Sequence, residues 1–242
     1  MIRFLLSIIF VVLFLICSIP LMFVEWIIGK HNPKAKDVSS RAIIRWAFRV
    51  ILFISGANVE VKGRDNIPRD QAVLYVGNHR SYFDVIINYI YVIGITGFIA
   101  KIEFKKVPLL STWMRNIRCL FLDRENIKAG LKTILDAIEQ IKSGASVFIF
   151  PEGTRGHGDE MLPFKEGSLK IAEKLNCPIV PVAITNSDGI FEKQFPRIKP
   201  VNVVIEYGKP FKANDLEKED RKHLGSYTRN VIAELLKNNI KA

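Results

Sequence analysis

The chain is organised around residues 72–84, AVLYVGNHRSYFD, where an apolar run gives way to a polar turn. The run from Ala72 to Val76 predicts a short buried strand. The apolar residues 85–90 after the turn predict a helix or a second buried segment. Within one continuous helix, the five-residue step from His79 to Asp84 would rotate the two side chains about 140° apart. They can meet only if the chain turns after His79 and Asp84 lies in the first turn of the next element.

A histidine that contacts a carboxylate is suited to act as a general base. The carboxylate fixes the tautomer of the imidazole and favours the imidazolium that forms when the ring accepts a proton. Taken alone, the spacing fits a solvated His79 and an unrelated Asp84 at a helix start equally well. The rest of the sequence is needed to choose between these interpretations.

Apolar runs and amphipathic stretches alternate along the remainder of the chain. Strands are predicted at residues 59–61, 97–100, 119–122, 146–150, 178–184 and 201–207, and helices at 105–117, 126–143, 167–175 and 222–239. This alternation predicts an α/β domain over residues 57–242, with helices flanking a mostly parallel sheet. Ligands of such sheets bind beyond the carboxyl ends of the strands. Four polar residues follow predicted strand ends: His79, Lys101, Arg124 and Glu152.

A second motif, Phe150-Pro151-Glu152-Gly153-Thr154-Arg155, follows the strand predicted at residues 146–150. Its proline and glycine define a turn, and Gly153 would let a ligand approach the backbone closely. Arg155 offers a planar fork of N–H donors that suits a phosphate group. In isolation the motif fits a solvated surface turn almost as well.

The N-terminus is the most apolar part of a chain in which 49% of the residues are hydrophobic and 24% are charged. No charged residue occurs in the 21 positions from Phe4 to Val24, a length that matches a hydrocarbon core about 30 Å thick. The run exceeds the apolar part of a signal peptide and lacks a small-residue cleavage site after it. We therefore expect a retained membrane segment, kinked at Pro20, that either spans the bilayer or enters one leaflet.

A second apolar stretch, Val38 to Ser55, carries Arg41, Arg45 and Arg49 at intervals of four. This spacing places the arginines on one helix face. It predicts an interfacial helix with arginines among anionic headgroups, or alternatively an amphipathic helix packed on the domain. Residues 1–56 would thus form membrane-associated helices. Six of their seven Lys and Arg residues follow the first apolar segment, which predicts a cell-membrane protein with its catalytic domain on the cytoplasmic side.

The formal net charge of +11 predicts anionic partners. Membrane phospholipids are favoured over nucleic acid, because a membrane segment accompanies the basic residues and no nucleic-acid motif does. The cysteines Cys17, Cys119 and Cys177 form no C-x-x-C pair, so neither a disulfide framework nor a zinc site is predicted. The sequence predicts no metal and no cofactor.

Together, the two motifs resemble those of the glycerophospholipid acyltransferase family, in particular its bacterial members that acylate 1-acylglycerol-3-phosphate. The resemblance covers roughly residues 57–210 and keeps the family's order of motifs. A further family block, Gly-x-x-Phe-Ile-Asp-Arg, is similar to the sequence from Arg118 to Asp123-Arg124, with Arg118 in place of the leading glycine. The family's fourth block resembles residues 178–182.

The resemblance implies transfer of an acyl group from acyl-CoA or acyl carrier protein to the sn-2 hydroxyl of 1-acylglycerol-3-phosphate, which gives phosphatidic acid. It implies His79 as the general base and Asp84 as the residue that orients it. No acyl-enzyme is implied, and the sequence has no Gly-x-Ser-x-Gly motif. The residues implied in acceptor binding are Lys101, Arg124, Glu152, Gly153, Thr154 and Arg155. Of these, the cations would hold the phosphate, and Glu152 and Gly153 would position the glycerol.

Two alternatives stay open. The acceptor could be another lysophospholipid or an acylated amine. A protein of a different class, a membrane-anchored lipid-binding module without catalytic activity, would be expected to have a broken site. His79, Asp84, Glu152 and Arg155 are all present, which favours the enzyme.

Overall fold

The computed structural model describes residues 1–156 and 160–241. The described chain begins with three helices, α1 (Ile2–Cys17), α2 (Ile19–His31) and α3 (Pro33–Ser55). Its strands are β1 (Asn58–Lys62), β2 (Leu74–Gly77), β3 (Thr96–Lys101), β4 (Leu120–Leu122), β5 (Ser146–Ile149), β6 (Ile179–Thr185) and β7 (Asn202–Tyr207). Its other helices are α4 (Tyr82–Tyr91), α5 (Leu110–Asn116), α6 (Ile127–Lys142), α7 (Glu166–Leu175), α8 (Lys218–Lys222) and α9 (Leu224–Lys241).

The strands form a single sheet in the order β1-β7-β6-β2-β5-β3-β4. The five strands from β6 to β4 run parallel to one another, whereas β7 is antiparallel to β6 and pairs in parallel with β1. The predicted α/β fold with a mostly parallel sheet is therefore confirmed. In consequence, the carboxyl ends of β2, β5, β3 and β4 lie side by side along one edge.

Alternate side chains of the central strands pack into two cores, one on each face of the sheet. Tyr75 and Phe148 pack with residues of α3, α4 and α5. Leu74 and Val147 pack on the other face with residues of α6, α7 and α9. Because both faces are covered, the central strands are continuous apolar runs rather than alternating ones.

The helix predicted at residues 105–117 is shorter than expected. A 3₁₀ turn, Ile102–Lys106, comes first, and α5 begins only at Leu110. Pro108 disfavours helical geometry in the residue before it, and Val107 is accordingly extended, with φ of −89° and ψ of 110°. The helix therefore starts after the proline.

The apolar N-terminal segment is broken between α1 and α2, which are bent by 50°. Pro20 lies in the first turn of α2, where a helix needs no N–H donor, and it disfavours a helix that continues unbroken from α1; the predicted kink is confirmed. In the described part of the chain no helix is by itself long and apolar enough to cross a membrane, but α1 and α2 together have the required length and composition. Many of their apolar side chains are exposed, such as Ile2, Leu5 and Leu13.

Helix α3 packs on the domain, and its arginines differ in their surroundings. Arg41 donates a hydrogen bond to the carbonyl of Val92 at 3.0 Å, and Arg45 donates one to the carbonyl of Ile90. Both carbonyls lie at the C-terminal end of α4, where cations are favoured. Arg41 and Arg45 are therefore bound to the domain, as the alternative of a packed amphipathic helix predicts, while Arg49 is exposed. The interfacial location of the helix stays a prediction.

Arg118 occupies the position of the family's leading glycine and adopts the left-handed conformation that glycine favours, with φ of 58°. Its guanidinium binds both carboxylate oxygens of Asp37 in α3, at 2.9 and 2.6 Å. The turn also fits tightly against β3, because a Cβ on Gly97 would lie 1.9 Å from the Arg118 carbonyl oxygen. The ion pair with Asp37 fixes the side chain of Arg118 and connects this turn to α3.

Candidate active site

The first turn of α4 arranges the polar residues that follow β2. Ser81 is the N-cap, and its hydroxyl accepts a hydrogen bond from the N–H of Phe83 at 3.0 Å. Asp84 completes a capping box, because its Oδ2 accepts the N–H groups of Ser81 and Arg80, both at 2.7 Å. The carboxylate of Asp84 is fully buried at this helix start. Its position is thus fixed by the backbone, independently of the histidine.

The predicted contact between His79 and Asp84 is confirmed. Nδ1 of His79 lies 2.9 Å from Oδ2 of Asp84, which accepts the ring proton when Nδ1 carries it. In that tautomer Nε2 has a free lone pair that can accept a proton from a substrate. The ring also stacks on Phe150 of the second motif, with centroids 4.2 Å apart. The two motifs therefore meet at the imidazole.

Glu152 supports the same histidine from the backbone side. One carboxylate oxygen accepts the N–H of His79 at 2.6 Å, and the other accepts the N–H of Leu162 at 2.9 Å. The residue is 5% exposed, and burial raises the pKa of its carboxyl group above the usual range, although these hydrogen bonds oppose the shift. Both oxygens are thus engaged within the protein. Direct contact of Glu152 with a glycerol stays a prediction.

A cavity of about 180 Å³ is lined in part by Phe150 and Pro151 of the second motif. Arg124 from the end of β4, Lys165 and Gly153 line it. Within the described residues, neither the guanidinium of Arg124 nor the ammonium of Lys165 has a hydrogen bond or an ion pair. Two cations without internal partners beside one small cavity make a site suited to an anion.

Gly153 is required at this wall of the cavity. Its φ is 76°, which a side chain would strain, and a Cβ would lie 3.1 Å from both Cε and Nζ of Lys165. The absence of a side chain at Gly153 therefore lets the side chain of Lys165 pack closely against this turn. The side chain of Lys165 is exposed. The sequence offers only a weak signal for its position, since it stands one residue before the start of α7.

Arg155 lies apart from that cavity, over the start of α4. Its guanidinium stacks 3.7 Å above the ring of Tyr82 and donates a hydrogen bond to Glu192 at 3.0 Å. The same oxygen of Glu192 accepts the N–H of Tyr82 at 2.8 Å. Sequence reasoning did not find Glu192, because it follows Arg155 by 37 positions in a loop without a periodic pattern.

Two of the predicted acceptor-binding residues have side chains that make no hydrogen bond to this constellation within the described residues. Lys101 ends β3, but its side chain is 51% exposed and lies 3.7 Å from Glu103. Thr154 is exposed. The structure therefore brings together His79, Asp84, Glu152, Gly153 and Arg124 around Phe150, with the Arg155 side chain over the start of α4. No cluster of metal-binding side chains occurs among residues 1–156 and 160–241.

This chain belongs to the acyltransferase family, whose family model matches residues 58–185. Those residues contain both motifs and β1 to β6. The match places the His–Asp pair and the basic cavity in a domain whose members transfer acyl groups.

Individual relatives indicate which members of the family this chain is similar to. The chain is 29% identical to the 1-acyl-sn-glycerol-3-phosphate acyltransferase of Borreliella burgdorferi, over 80% of this chain and 78% of that protein. It is 35% identical to a probable 1-acyl-sn-glycerol-3-phosphate acyltransferase of Mycoplasma pneumoniae, over 60% of this chain and 56% of that protein. The crystal structure of the 1-acyl-sn-glycerophosphate acyltransferase PlsC of Thermotoga maritima is similar with a TM-score of 0.78 and 25% identity, over 99% of this chain and 94% of that one.

Proposed function

We propose that this protein transfers an acyl group from acyl-CoA or acyl carrier protein to the sn-2 hydroxyl of 1-acylglycerol-3-phosphate, giving phosphatidic acid. The observation that carries the proposal is the 2.9 Å contact between His79 and Asp84, next to a cavity with two unpaired cations. The names of relatives from bacteria and from yeast, all acyltransferases for this acceptor, support the choice of substrate.

In this mechanism His79 is the general base. Asp84 holds the proton on Nδ1 and stabilises the imidazolium, so Nε2 accepts the proton of the acceptor's hydroxyl. The hydroxyl oxygen attacks the carbonyl carbon of the thioester. The carbon–sulfur bond then breaks, and the leaving thiolate takes the proton from Nε2. The products are the new ester and a free thiol, with no acyl-enzyme between them.

The cations of the site would hold the acceptor's phosphate. A phosphate monoester carries about −1.5 to −2 charges near neutral pH, which two or three cations can match. Arg124 and Lys165 are proposed for this role because their side chains lack internal partners. Arg155 is proposed to join them through the N–H groups that Glu192 does not use. Glu152 would contribute by holding the backbone of His79.

The first two helices are proposed to bring the domain to the cell membrane, where a lysophospholipid acceptor is found. Exposed apolar side chains on α1 and α2 support this role, among them Ile2, Leu13 and Trp26. The catalytic domain would lie on the cytoplasmic side. Flotation with phospholipid vesicles tests the attachment: Leu5→Glu together with Leu13→Glu should leave the protein unbound, whereas Lys170→Glu on the surface of α7 should not.

The reaction is tested with purified protein in vesicles, lysophosphatidate and mixed acyl donors, with products identified by mass spectrometry. His79→Ala should lower kcat by about 10²- to 10⁴-fold, the usual contribution of a general base. The matched control is His223→Ala, which removes an exposed histidine near Glu219 and should retain full activity. An unchanged rate in His79→Ala would refute the mechanism.

A panel of acceptors tests the substrate. Lysophosphatidate should react faster than lysophosphatidylcholine, than monoacylglycerol without a phosphate, and than an acylated amine. Preference for any of the other three would refute the assignment of the acceptor while leaving the base untouched.

A further inference from the structure

Arg155 is held by Glu192, which lies outside both sequence motifs, and by Tyr82 of the first motif. The guanidinium donates to Glu192 at 3.0 Å and stacks on Tyr82 at 3.7 Å. These two contacts use one N–H and one face of the planar group. The other N–H groups of Arg155 have no hydrogen-bond partner among the described residues. They form the edge with which an arginine binds phosphate.

Glu192 is itself fixed in place. Its side chain is 13% exposed, and the oxygen that binds Arg155 also accepts the N–H of Tyr82 at 2.8 Å. That N–H belongs to the first turn of α4, which attracts carboxylates. The preceding residue, Phe191, stacks on Phe4 of α1 with centroids 5.5 Å apart. Glu192 is therefore held at a helix start, in a loop that packs against the N-terminal helix.

We propose that Glu192 is a positioning residue that fixes the guanidinium of Arg155 for the acceptor's phosphate. The inference rests on the proposed function, in which Arg155 binds that phosphate. A free arginine side chain samples many rotamers, and ordering it on binding weakens affinity. Glu192 and Tyr82 hold the group in one orientation before the acceptor arrives. The start of α4 would then position both functional groups, His79 through Asp84 and Arg155 through Glu192.

The opposite role, in which Glu192 hinders the binding of the phosphate, predicts the opposite change in acceptor binding. A carboxylate next to an arginine also competes with an incoming phosphate for the same charge. If competition dominated, removing the carboxylate would strengthen acceptor binding. If positioning dominates, as proposed, removing it weakens binding.

The experiment measures KM for lysophosphatidate and for the acyl donor separately, with the full-length protein in vesicles. Glu192→Ala should raise the acceptor KM by about tenfold, equivalent to one lost charge-assisted hydrogen bond, and leave the donor KM unchanged. Glu192→Gln keeps an oxygen that can accept from Arg155 and Tyr82, so its acceptor KM should stay within about threefold of wild type. Glu139→Ala removes an exposed partner of Lys142 on α6 and serves as the control for loss of a carboxylate.

Arg155→Ala and the double variant with Glu192→Ala separate the two hypotheses. Arg155→Ala should raise the acceptor KM, and the second substitution should then have no additional effect, because Glu192 acts through Arg155. A lower acceptor KM in Glu192→Ala would overturn the inference, as would a Glu192→Ala effect that persists without Arg155. An unchanged acceptor KM in Glu192→Ala would do the same. An unchanged acceptor KM in Arg155→Ala would instead refute the role of Arg155 in the proposed function.

Discussion

Two groups of cations in this chain look alike in the sequence and differ in their partners. The bound cations, Arg41, Arg45 and Arg118, lie between α3 and the domain, where carbonyl or carboxylate oxygens accept their hydrogen bonds. The cavity cations, Arg124 and Lys165, lie at the carboxyl edge of the sheet without internal partners. Each of these five residues contributes one positive charge to the net charge.

The difference shows that charge alone does not identify an anion-binding surface. A cation that already binds a carbonyl or carboxylate oxygen of the protein stabilises the fold and is less free to bind a ligand. A cation without a partner keeps its full affinity for an incoming phosphate. Substitution of the bound cations should therefore lower stability, and substitution of the cavity cations should weaken acceptor binding.

The largest effect is expected from Arg124→Ala combined with Lys165→Ala. Each residue is expected to make a charge-assisted bond to phosphate, worth about 1.5–3 kcal/mol, so kcat/KM for lysophosphatidate should fall by roughly a hundredfold or more. The melting temperature should hardly change, because neither side chain is bound within the protein. Steady-state kinetics and thermal denaturation measure the two quantities.

Lys128→Ala is the matched control, since Lys128 is exposed on the same helix α6 that borders the cavity. The donor KM should be unaffected in all variants. Loss of stability in the double variant, in place of weaker acceptor binding, would contradict the distinction between bound and cavity cations. So would an equal loss of kcat/KM with monoacylglycerol, which has no phosphate.

The next largest effect is expected at Arg118. Arg118→Ala should lower the free energy of unfolding by about 2 kcal/mol, because it leaves the carboxylate of Asp37, which is 13% exposed, without its bidentate partner. Arg118→Gly loses the same ion pair but removes the strain of a left-handed non-glycine residue, about 1 kcal/mol. The glycine variant should therefore be more stable than the alanine variant in urea denaturation.

This order reverses the usual preference for alanine over glycine, which makes it specific to the left-handed turn. Equal stability of the two variants would mean that the backbone at position 118 relaxes once the side chain is removed. Acyl transfer per folded molecule should be retained in both.

The sequence predicted the sheet well for physical reasons. Strands such as residues 146–150 are buried on both faces, so their apolar character is visible without knowledge of their neighbours. The step from His79 to Asp84 was predictable too, since only a turn followed by a helix start can join them. The catalytic role of the pair stays a prediction, as does the membrane location.

Contacts distant in the sequence were not predictable in the same way. Arg41 and Arg45 repeat with helical spacing, but no local pattern reveals that the end of α4 lies opposite them. Glu192 and Lys165 stand in loops, where no periodicity indicates which way a side chain points. The three-dimensional arrangement was needed to tell bound cations from free ones.

A smaller effect is expected within α3, which offers its own internal comparison. Arg41→Met should destabilise the protein by about 1 kcal/mol, because a charged donor at the C-terminal end of α4 is lost. Arg49→Met, two turns further along the same helix and exposed, should change stability by less than about 0.5 kcal/mol. Urea denaturation of the two variants measures the difference. Equal losses would indicate that the helix itself, rather than the contact with α4, depends on the arginines.

The smallest effect is expected at Lys101, which tests whether a strand-end position alone makes a cation part of the site. Its side chain is half exposed and near Glu103, and exposed ion pairs contribute little. Lys101→Ala should therefore change the acceptor KM by less than about threefold, well below the effect of Arg124→Ala at the neighbouring strand end. A tenfold rise would place Lys101 among the phosphate ligands. Because its ammonium does not line the cavity in this structure, such a result would require the segment after β3 to move toward the cavity when the acceptor binds.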